Sequence, residues 1–313
     1  MLPPVGMLDG RAFIVVVNWN GAALLPACLS ALTAQEPRPR VLVVDNGSTD
    51  GSAEVVAGFL GVEWLSLDRN AGYAEANNLG IRRGLDEGAR WLGVVNPDVV
   101  VQPGWLAALV AAGEAHPEAG LLGGLLLFGG EPDRVNSTGL VLDRIGRVKD
   151  RDFGVALAAL ATPEGPVTGL TGGALLLRAE ALREIGLFDP GYWAYYEDAD
   201  LSLRAARRGF QTRYVPAARA LHGYGKSFGP GSPKQKYWLA RNHLRFVAAH
   251  WPLPWVAVAA PALAAWRAAV VAPLALLRGE PAMASAQWRG AAAGLLEAGR
   301  GVVGRVRRTR PPG

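Results

Sequence analysis

Short apolar runs rich in β-branched residues mark the first part of the chain: residues 12–17 stop at Asn18, and residues 40–44 stop at Asp45. Runs of that length and composition predict buried strands. Residues 22–33 between them carry helical spacing, and the alternation repeats with a helix near 52–60, a strand at 62–67, a helix at 73–87 and a strand at 90–95. Strands alternating with helices predict an α/β fold, a mostly parallel central sheet flanked by helices, with its ligand site at the carboxyl ends of the strands. Polar residues stand at each of those ends: Asn18, Asp45, Asp68 with Asn70, and Asn96 with Asp98.

The texture changes beyond a helix expected at 103–116. An apolar run at 121–128 leads into a polar stretch over 129–151, and residues 173–178 read as another buried strand. Residues 197–208 predict a short helix with an acidic start and a basic end, which suits the helix dipole, and Gly209 is placed to terminate it. A strand at 211–215, a glycine- and proline-rich loop at 223–233 and a helix at 237–250 follow. Residues 251–277 are apolar enough to raise the question of a membrane span. Arg267 divides them, and Pro261 and Pro273 would kink a helix, so no span is expected. At helical spacing Trp251, Trp255 and Trp266 form one aromatic stripe, which suits a membrane surface, packing on the rest of the chain, or a second subunit in a homo-oligomer.

Half of the 313 residues are hydrophobic and 19% are charged, which excludes a disordered or fibrous chain. The net charge of +5 resides in residues 278–313, where seven Arg outnumber two Glu, and the rest of the chain balances. No nucleic-acid partner is expected of a neutral body, whereas a basic tail behind an apolar segment fits an anionic membrane surface. A single cysteine, Cys28, excludes an intrachain disulfide and a thiolate zinc site, and fits a reducing, cytoplasmic setting. Residues 1–10 lack the basic and apolar regions of a secretory signal and read as a loose leader.

The first strand ends in Asn18-Trp19-Asn20-Gly21, so the glycine cradle of a dinucleotide site is missing, and no P-loop occurs. Asp45 at a strand end can accept from a base N–H or a ribose hydroxyl; equally, Asp45-Asn46-Gly47-Ser48-Thr49-Asp50-Gly51 reads as a turn leading into a helix N-cap. Asn77 and Asn78, adjacent inside a helix, cost propensity, which implies that their amides are used. In Asn96-Pro97-Asp98 the carboxylate follows a buried strand and is placed either to ligate a hard divalent cation on a diphosphate or to end the strand in a turn. Glu197, Asp198 and Asp200 crowd a helix start behind Tyr195 and Tyr196. That pattern fits a solvated first turn, or a partly desolvated cleft where a carboxylate's pKa rises toward that of a general base. His222 is a candidate metal or phosphate ligand, and Lys226, Lys234 and Lys236 lie in or beside a loop able to close over an anion.

Taken together, the segments VVVNWNG (15–21), VVDNGSTDGS (43–52), NAGYAEANNLGI (70–81), VVNPDVVVQPGWL (94–106), GGALLLRAEALREIGLFDPGYWAYYEDADLSLRAARRG (172–209), His222 and YWLARN (237–242) resemble the family 2 glycosyltransferases of the GT-A fold, most closely the bacterial rhamnosyltransferase-like branch. The resemblance covers about residues 12–245. It implies a GT-A domain over 11–245, with residues 246–313 as a helical extension and basic tail. It implies further that Asn18, Asn20 and Asp45 line a nucleotide pocket, that Asn70, Gly72, Asn77 and Asn96 shape the nucleoside and sugar site, and that Asp198 is the catalytic base with Glu197 beside it. Asp98 matches the last carboxylate of the family's metal motif. Here Asn96 replaces its first, so His222 or donor phosphates would complete the shell of Mg²⁺ or Mn²⁺. The activity implied is inverting transfer from a nucleoside-diphosphate sugar, with dTDP-rhamnose the leading donor, to a glycan or lipid-linked acceptor, at the inner face of the cell membrane. The competing readings are a sugar-phosphate nucleotidyltransferase, which would want a basic phosphate loop after the first strand, and a non-catalytic binding protein on the same fold.

Overall fold

The structure, a computed structural model, describes residues 12–223 and 231–309, with side chains as far as Arg305. The expected leader, Lys226 and the end of the basic tail lie outside these residues. Among the described residues the chain forms two compact units. The first is drawn from Met1–Val141, Lys149–Trp193 and Glu197–Ser227, and the second from Leu142–Val148, Ala194–Tyr196 and Phe228–Gly313.

In the first unit β1 (Ala12–Asn18), β2 (Arg40–Asp45), β3 (Val62–Ser66) and β4 (Trp91–Val95) are parallel, in the spatial order β3-β2-β1-β4, and α1 (Leu25–Thr33), α2 (Ser52–Ala57) and α3 (Tyr73–Asp86) connect them. Both faces of this sheet are covered, which is why its strands read as continuous apolar runs. In β1, Ile14 and Val16 point into a core shared with α1, while Phe13, Val15 and Val17 point into one shared with α3. The chain continues through β5 (Val99–Val101), α4 (Trp105–Ala115), β6 (Ala119–Phe128), β7 (Val135–Ser137), β8 (Leu140–Leu142), β9 (Val148–Asp150), β10 (Gly165–Val167), β11 (Ala174–Arg178), α5 (Ala179–Ile185), α6 (Glu197–Arg207) and β12 (Gln211–His222). The complete order is β10-β12-β6-β11-β4-β1-β2-β3, with β5 on β12 and β7 on β6.

Strand direction decides where the site forms. β11 is antiparallel to both β4 and β6, and β12 is parallel to β6. The carboxyl ends of β1, β2, β4 and β12 therefore share one edge with the amino end of β11. Asn18, Asp45, Asn96, Asp98, His222 and the Gly172-Gly173 turn gather there. The strand expected at 211–215 runs on to His222. Pro216 looks like a stop in the sequence, but the register shifts between Val215 and Arg219, and this bulge carries the strand past it.

The second unit contains α7 (Pro233–His250), α8 (Leu253–Trp266), α9 (Ala272–Leu277) and α10 (Pro281–Thr309). The boundary drawn at 245 from the sequence falls inside α7. Leu244 and Val247 of α7 pack with Val256, Ala260 and Ala264 of α8 and Ala291 and Ala298 of α10. Gly290 and Gly294 let α10 approach closely, since a Cβ on either would lie within 3 Å of the α7 backbone.

Two local expectations about this region, the break at Arg267 and the single tryptophan stripe, are corrected. Leu253–Leu277 is one helical stretch, with Pro261 inside it and a π-helical turn over Arg267–Val271, and it is long and apolar enough to cross a membrane. Arg267 does not interrupt its outer surface, because the guanidinium turns inward to Gln287 Oε1 at 3.0 Å and His243 Nδ1 at 3.1 Å. Nor do the three tryptophans make one exposed stripe. Trp251 lies beyond the end of α7 in extended backbone, and it packs with Trp255 at the helical core; Trp266 remains 48% exposed.

Candidate active site

The loops at the sheet edge are organised by short polar side chains. Asp45 Oδ1 accepts from Asn18 Nδ2 at 2.9 Å and from the Ser48 hydroxyl at 2.5 Å, and Oδ2 accepts from Ser48 N at 2.9 Å. This leaves one acceptor position on Asp45, so the turn predicted over residues 45–51 exists and does not exhaust the carboxylate. Asn20 N donates to Ser48 Oγ at 2.8 Å, and Asn20 Oδ1 accepts from Thr49 N at 2.9 Å. Asn18 Oδ1 is buried without a hydrogen-bond partner at the same edge.

Asn70 and Gly72 form the next wall. Asn70 Oδ1 accepts from Gly72 N at 2.9 Å, and Asn46, which the sequence reading passed over, ties Ala71 N and Gly72 O to the first loop. Gly72 has φ +90°, and a Cβ there would stand 2.5 Å from the Trp193 indole. Of the two helical asparagines, Asn78 is structural, bonding both the N–H and C=O of Phe188. Asn77 donates to Tyr73 O at 2.9 Å and keeps a buried, unpartnered Oδ1.

Asp98 is 9% exposed, and its Oδ1 lacks a hydrogen-bond partner. His222 Nε2 stands 3.6 Å from that oxygen. Burial lowers the His222 pKa and the Asp98 charge opposes the fall, so the ring is neutral at neutral pH, the state a metal ligand requires. A buried, unsatisfied carboxylate oxygen beside a neutral imidazole fits a divalent cation. Asn96 does not add a second carboxylate; its carbonyl accepts from Val99 N at 3.0 Å and from Cys28 Sγ at 3.6 Å. No cluster of three or more metal-ligating side chains occurs among the described residues, so a cation here would take further ligands from donor phosphates or water.

The acidic triplet at the start of α6 separates into distinct roles. Asp200 is neutralised by Arg204, whose Nε lies 2.8 Å from Oδ2, and that guanidinium also holds the carbonyls of Ile185 and Leu187. Asp198 accepts Gly172 N at 2.9 Å on Oδ2 and Ala199 N at 2.8 Å on Oδ1. Burial raises its pKa, while those amides favour the charged form and restrain the rise. Glu197 Oε2 is buried with no partner, and burial followed by the Asp198 charge raises the Glu197 carboxyl well above the usual range. Two backbone amides thus oppose the rise at Asp198, whereas at Glu197 the neighbouring Asp198 charge adds to it.

Two further groups belong here and had no signal in the sequence. Tyr73 OH donates to Gly172 O at 2.6 Å; burial raises its pKa well above the ordinary value, with the charges of Glu197 and Asp198 adding to the rise. Asp150 sits at the end of β9, where burial pushes its pKa from 3.8 to about 6, a hydrogen bond with Ser137 opposing and the Asp198 charge adding to the rise. Lys234 and Lys236 stand in the first turn of α7, which Ser232 caps by accepting from Gln235 N at 3.2 Å.

The sheet edge is lined by amides and carries a carboxylate–imidazole pair and a separate two-carboxylate cluster, and residues 13–186 match the profile of Glycosyl transferase family 2. The chain belongs to that family and is an enzyme of the glycosyltransferase class. It is 33% identical over 245 residues to the N-acetylglucosaminyl-diphospho-decaprenol L-rhamnosyltransferase of Mycobacterium tuberculosis, covering 69% of this chain and 77% of that protein. Rhamnosyltransferase WbbL of Escherichia coli is 22% identical over 222 residues, covering 67% and 82%. Among solved structures, the mannosyltransferase PcManGT from Pyrobaculum calidifontis in complex with GDP-Man and Mn²⁺ matches with TM-score 0.56 at 18% identity, covering 91% of this chain and 87% of that one. GalNAc-T7 with UDP, GalNAc and Mn²⁺ matches with TM-score 0.61 at 19% identity, covering 78% of this chain but 48% of that one. Those likenesses establish the GT-A fold.

Proposed function

We propose that the chain is an inverting rhamnosyltransferase that moves the sugar of a nucleoside-diphosphate donor, dTDP-rhamnose, to a hydroxyl of a lipid-linked glycan. The observation that carries the reading is the separation of two groups at the sheet edge: Asp98 with His222, and Asp198, whose two backbone amide donors favour its charged form. Asp198 takes the proton of the acceptor hydroxyl as that oxygen bonds to the anomeric carbon and the bond to the diphosphate breaks. One carboxylate acts as base and no second carboxylate acts as nucleophile, so the transfer is a single displacement that inverts the anomeric configuration. Glu197, whose carboxyl burial raises well above the usual range, and Tyr73 exclude water and keep the base desolvated. Asp98 and His222 would hold a Mg²⁺ or Mn²⁺ ion, which when bound supplies positive charge to the departing diphosphate. Asn18, Asn20 and Asp45 receive the nucleoside, and Asn70, Gly72, Asn77 and Asn96 shape the space for ribose and sugar.

The rhamnosyltransferase relatives support rhamnose as the sugar transferred, and the lipid named in one of them supports the acceptor class. Thermal-shift measurement across a nucleotide-sugar panel with Mn²⁺ tests the donor. Selective stabilisation by dTDP-rhamnose is expected, and selective stabilisation by a UDP- or GDP-sugar would overturn that assignment.

The same reading places the enzyme at the inner face of the cell membrane. Its support is the outer face of Leu253–Leu277, where every exposed position from 257 to 277 is apolar, including Val258 at 72% and Leu277 at 84% exposure. The net positive charge follows directly behind in the sequence. Co-sedimentation with phosphatidylglycerol vesicles is expected, and Val258→Glu with Leu274→Glu should abolish it. Absence of vesicle binding, or a dimer in solution dissolved by those same substitutions, would replace the membrane with a second copy as the occupant.

A further inference from the structure

We infer that Asn136 is a positioning residue that fixes the tautomer of His222 and thereby prepares the cation site. The inference rests on the reading of Asp98 and His222 as cation ligands. Strand β6 brings the two side chains together, because β12 and β7 both pair with its carboxyl-terminal half: His222 lies opposite Phe128, and Ser137 opposite Leu126. Residues far apart in sequence thus meet, and Asn136 Oδ1 lies 2.8 Å from His222 Nδ1.

Asn136 is 2% exposed, and its Nδ2 is buried without a hydrogen-bond partner. Oδ1 is the atom of this amide that meets His222, and as an acceptor it calls for the imidazole proton on Nδ1. A neutral imidazole carries one proton. With that proton held on Nδ1, Nε2 presents its lone pair toward Asp98 Oδ1 at 3.6 Å, a separation too long for a hydrogen bond and short enough for both atoms to meet one cation. The opposite tautomer would put an N–H against Asp98 and close the position. An amide oxygen makes this selection without adding charge. Ligand histidines are generally oriented in this way by a partner on the other ring nitrogen.

The test uses Mn²⁺ alone, followed by electron paramagnetic resonance titration of the full chain, with melting temperature as the control for folding. Asn136→Leu should weaken Mn²⁺ binding by roughly 10–100-fold, and Asn136→Asp, which retains an acceptor, should stay within about threefold of wild type. Equal affinity in wild type and Asn136→Leu would overturn the role of Asn136 while leaving the cation site standing. No Mn²⁺ binding by wild type would overturn the cation site and this inference with it. Independently of any variant, a long-range ¹H–¹⁵N correlation spectrum of metal-free wild type should place the His222 proton on Nδ1; a proton on Nε2 would overturn the inference.

Discussion

Glu197 and Asp198 are neighbours of the same chemical type, and replacing each by its amide separates their roles. Asp198 receives Gly172 N and Ala199 N on different oxygens at 2.9 and 2.8 Å. An asparagine can offer an oxygen to only one of them, so Asp198→Asn loses a charge-assisted hydrogen bond as well as the base. General-base catalysis contributes roughly 10²–10⁴-fold, which corresponds to about 3–5 kcal/mol of barrier, and that loss is expected in kcat. Glu197 Oε2 has no partner to lose, and its burial already favours the neutral form. Glu197→Gln keeps shape and neutrality, so its kcat should remain within about tenfold of wild type, or about 1.4 kcal/mol. The assay is steady-state transfer of labelled sugar from the proposed donor to a lipid-linked glycan acceptor, with donor binding followed by thermal shift. Both variants should bind donor within a few-fold of wild type. If Asp198→Asn turned over normally, or if Glu197→Gln were the more damaged, the assignment of the base would be wrong. The rate should also fall as pH drops through the raised Asp198 pKa, because protonation removes the acceptor for the hydroxyl proton.

Two further outcomes follow from the same geometry. Asp150 is raised from 3.8 to about 6 in the folded chain, so the native state binds more protons than the unfolded state between those values, and stability falls as pH rises through that window. Asp150→Asn should therefore stabilise the protein at pH 7.5 by roughly 1–3 kcal/mol in urea unfolding, with a smaller gain at pH 5; a variant less stable than wild type at pH 7.5 would contradict the buried-carboxylate account. Gly72→Ala meets both a φ of +90° and the Trp193 ring at 2.5 Å, so a loss of about 2–4 kcal/mol is expected in thermal unfolding, and an unchanged melting temperature would show that the wall is not rigid.

Much of the fold was legible because apolar runs and helical spacing are local signals. The alternation up to residue 95 predicted the elements from β1 to β4 and the strand ends on which the site stands. The positions of Asp98 and His222 after apolar strands, and of Asp198 in an acidic helix start, were legible in the same local way. The tertiary structure decided what periodicity cannot encode. Asp150 and Asn136 lie in a polar stretch with no pattern of its own, and only the pairing of β7 with β6 brings Asn136 to His222. The three α6 carboxylates look equivalent in sequence, yet Arg204 claims Asp200, backbone amides hold Asp198, and burial leaves Glu197 unpartnered. Arg267 seemed to break an apolar surface, but a helix gives each residue a direction as well as a position, and the charge faces inward. Composition and local spacing therefore determined the class of fold and the residue types available for transfer. Strand direction, long-range hydrogen bonds and burial, which depend on residues distant in sequence, decided which of those residues are ion-paired, which are held by backbone amides and which are buried with an unpartnered oxygen.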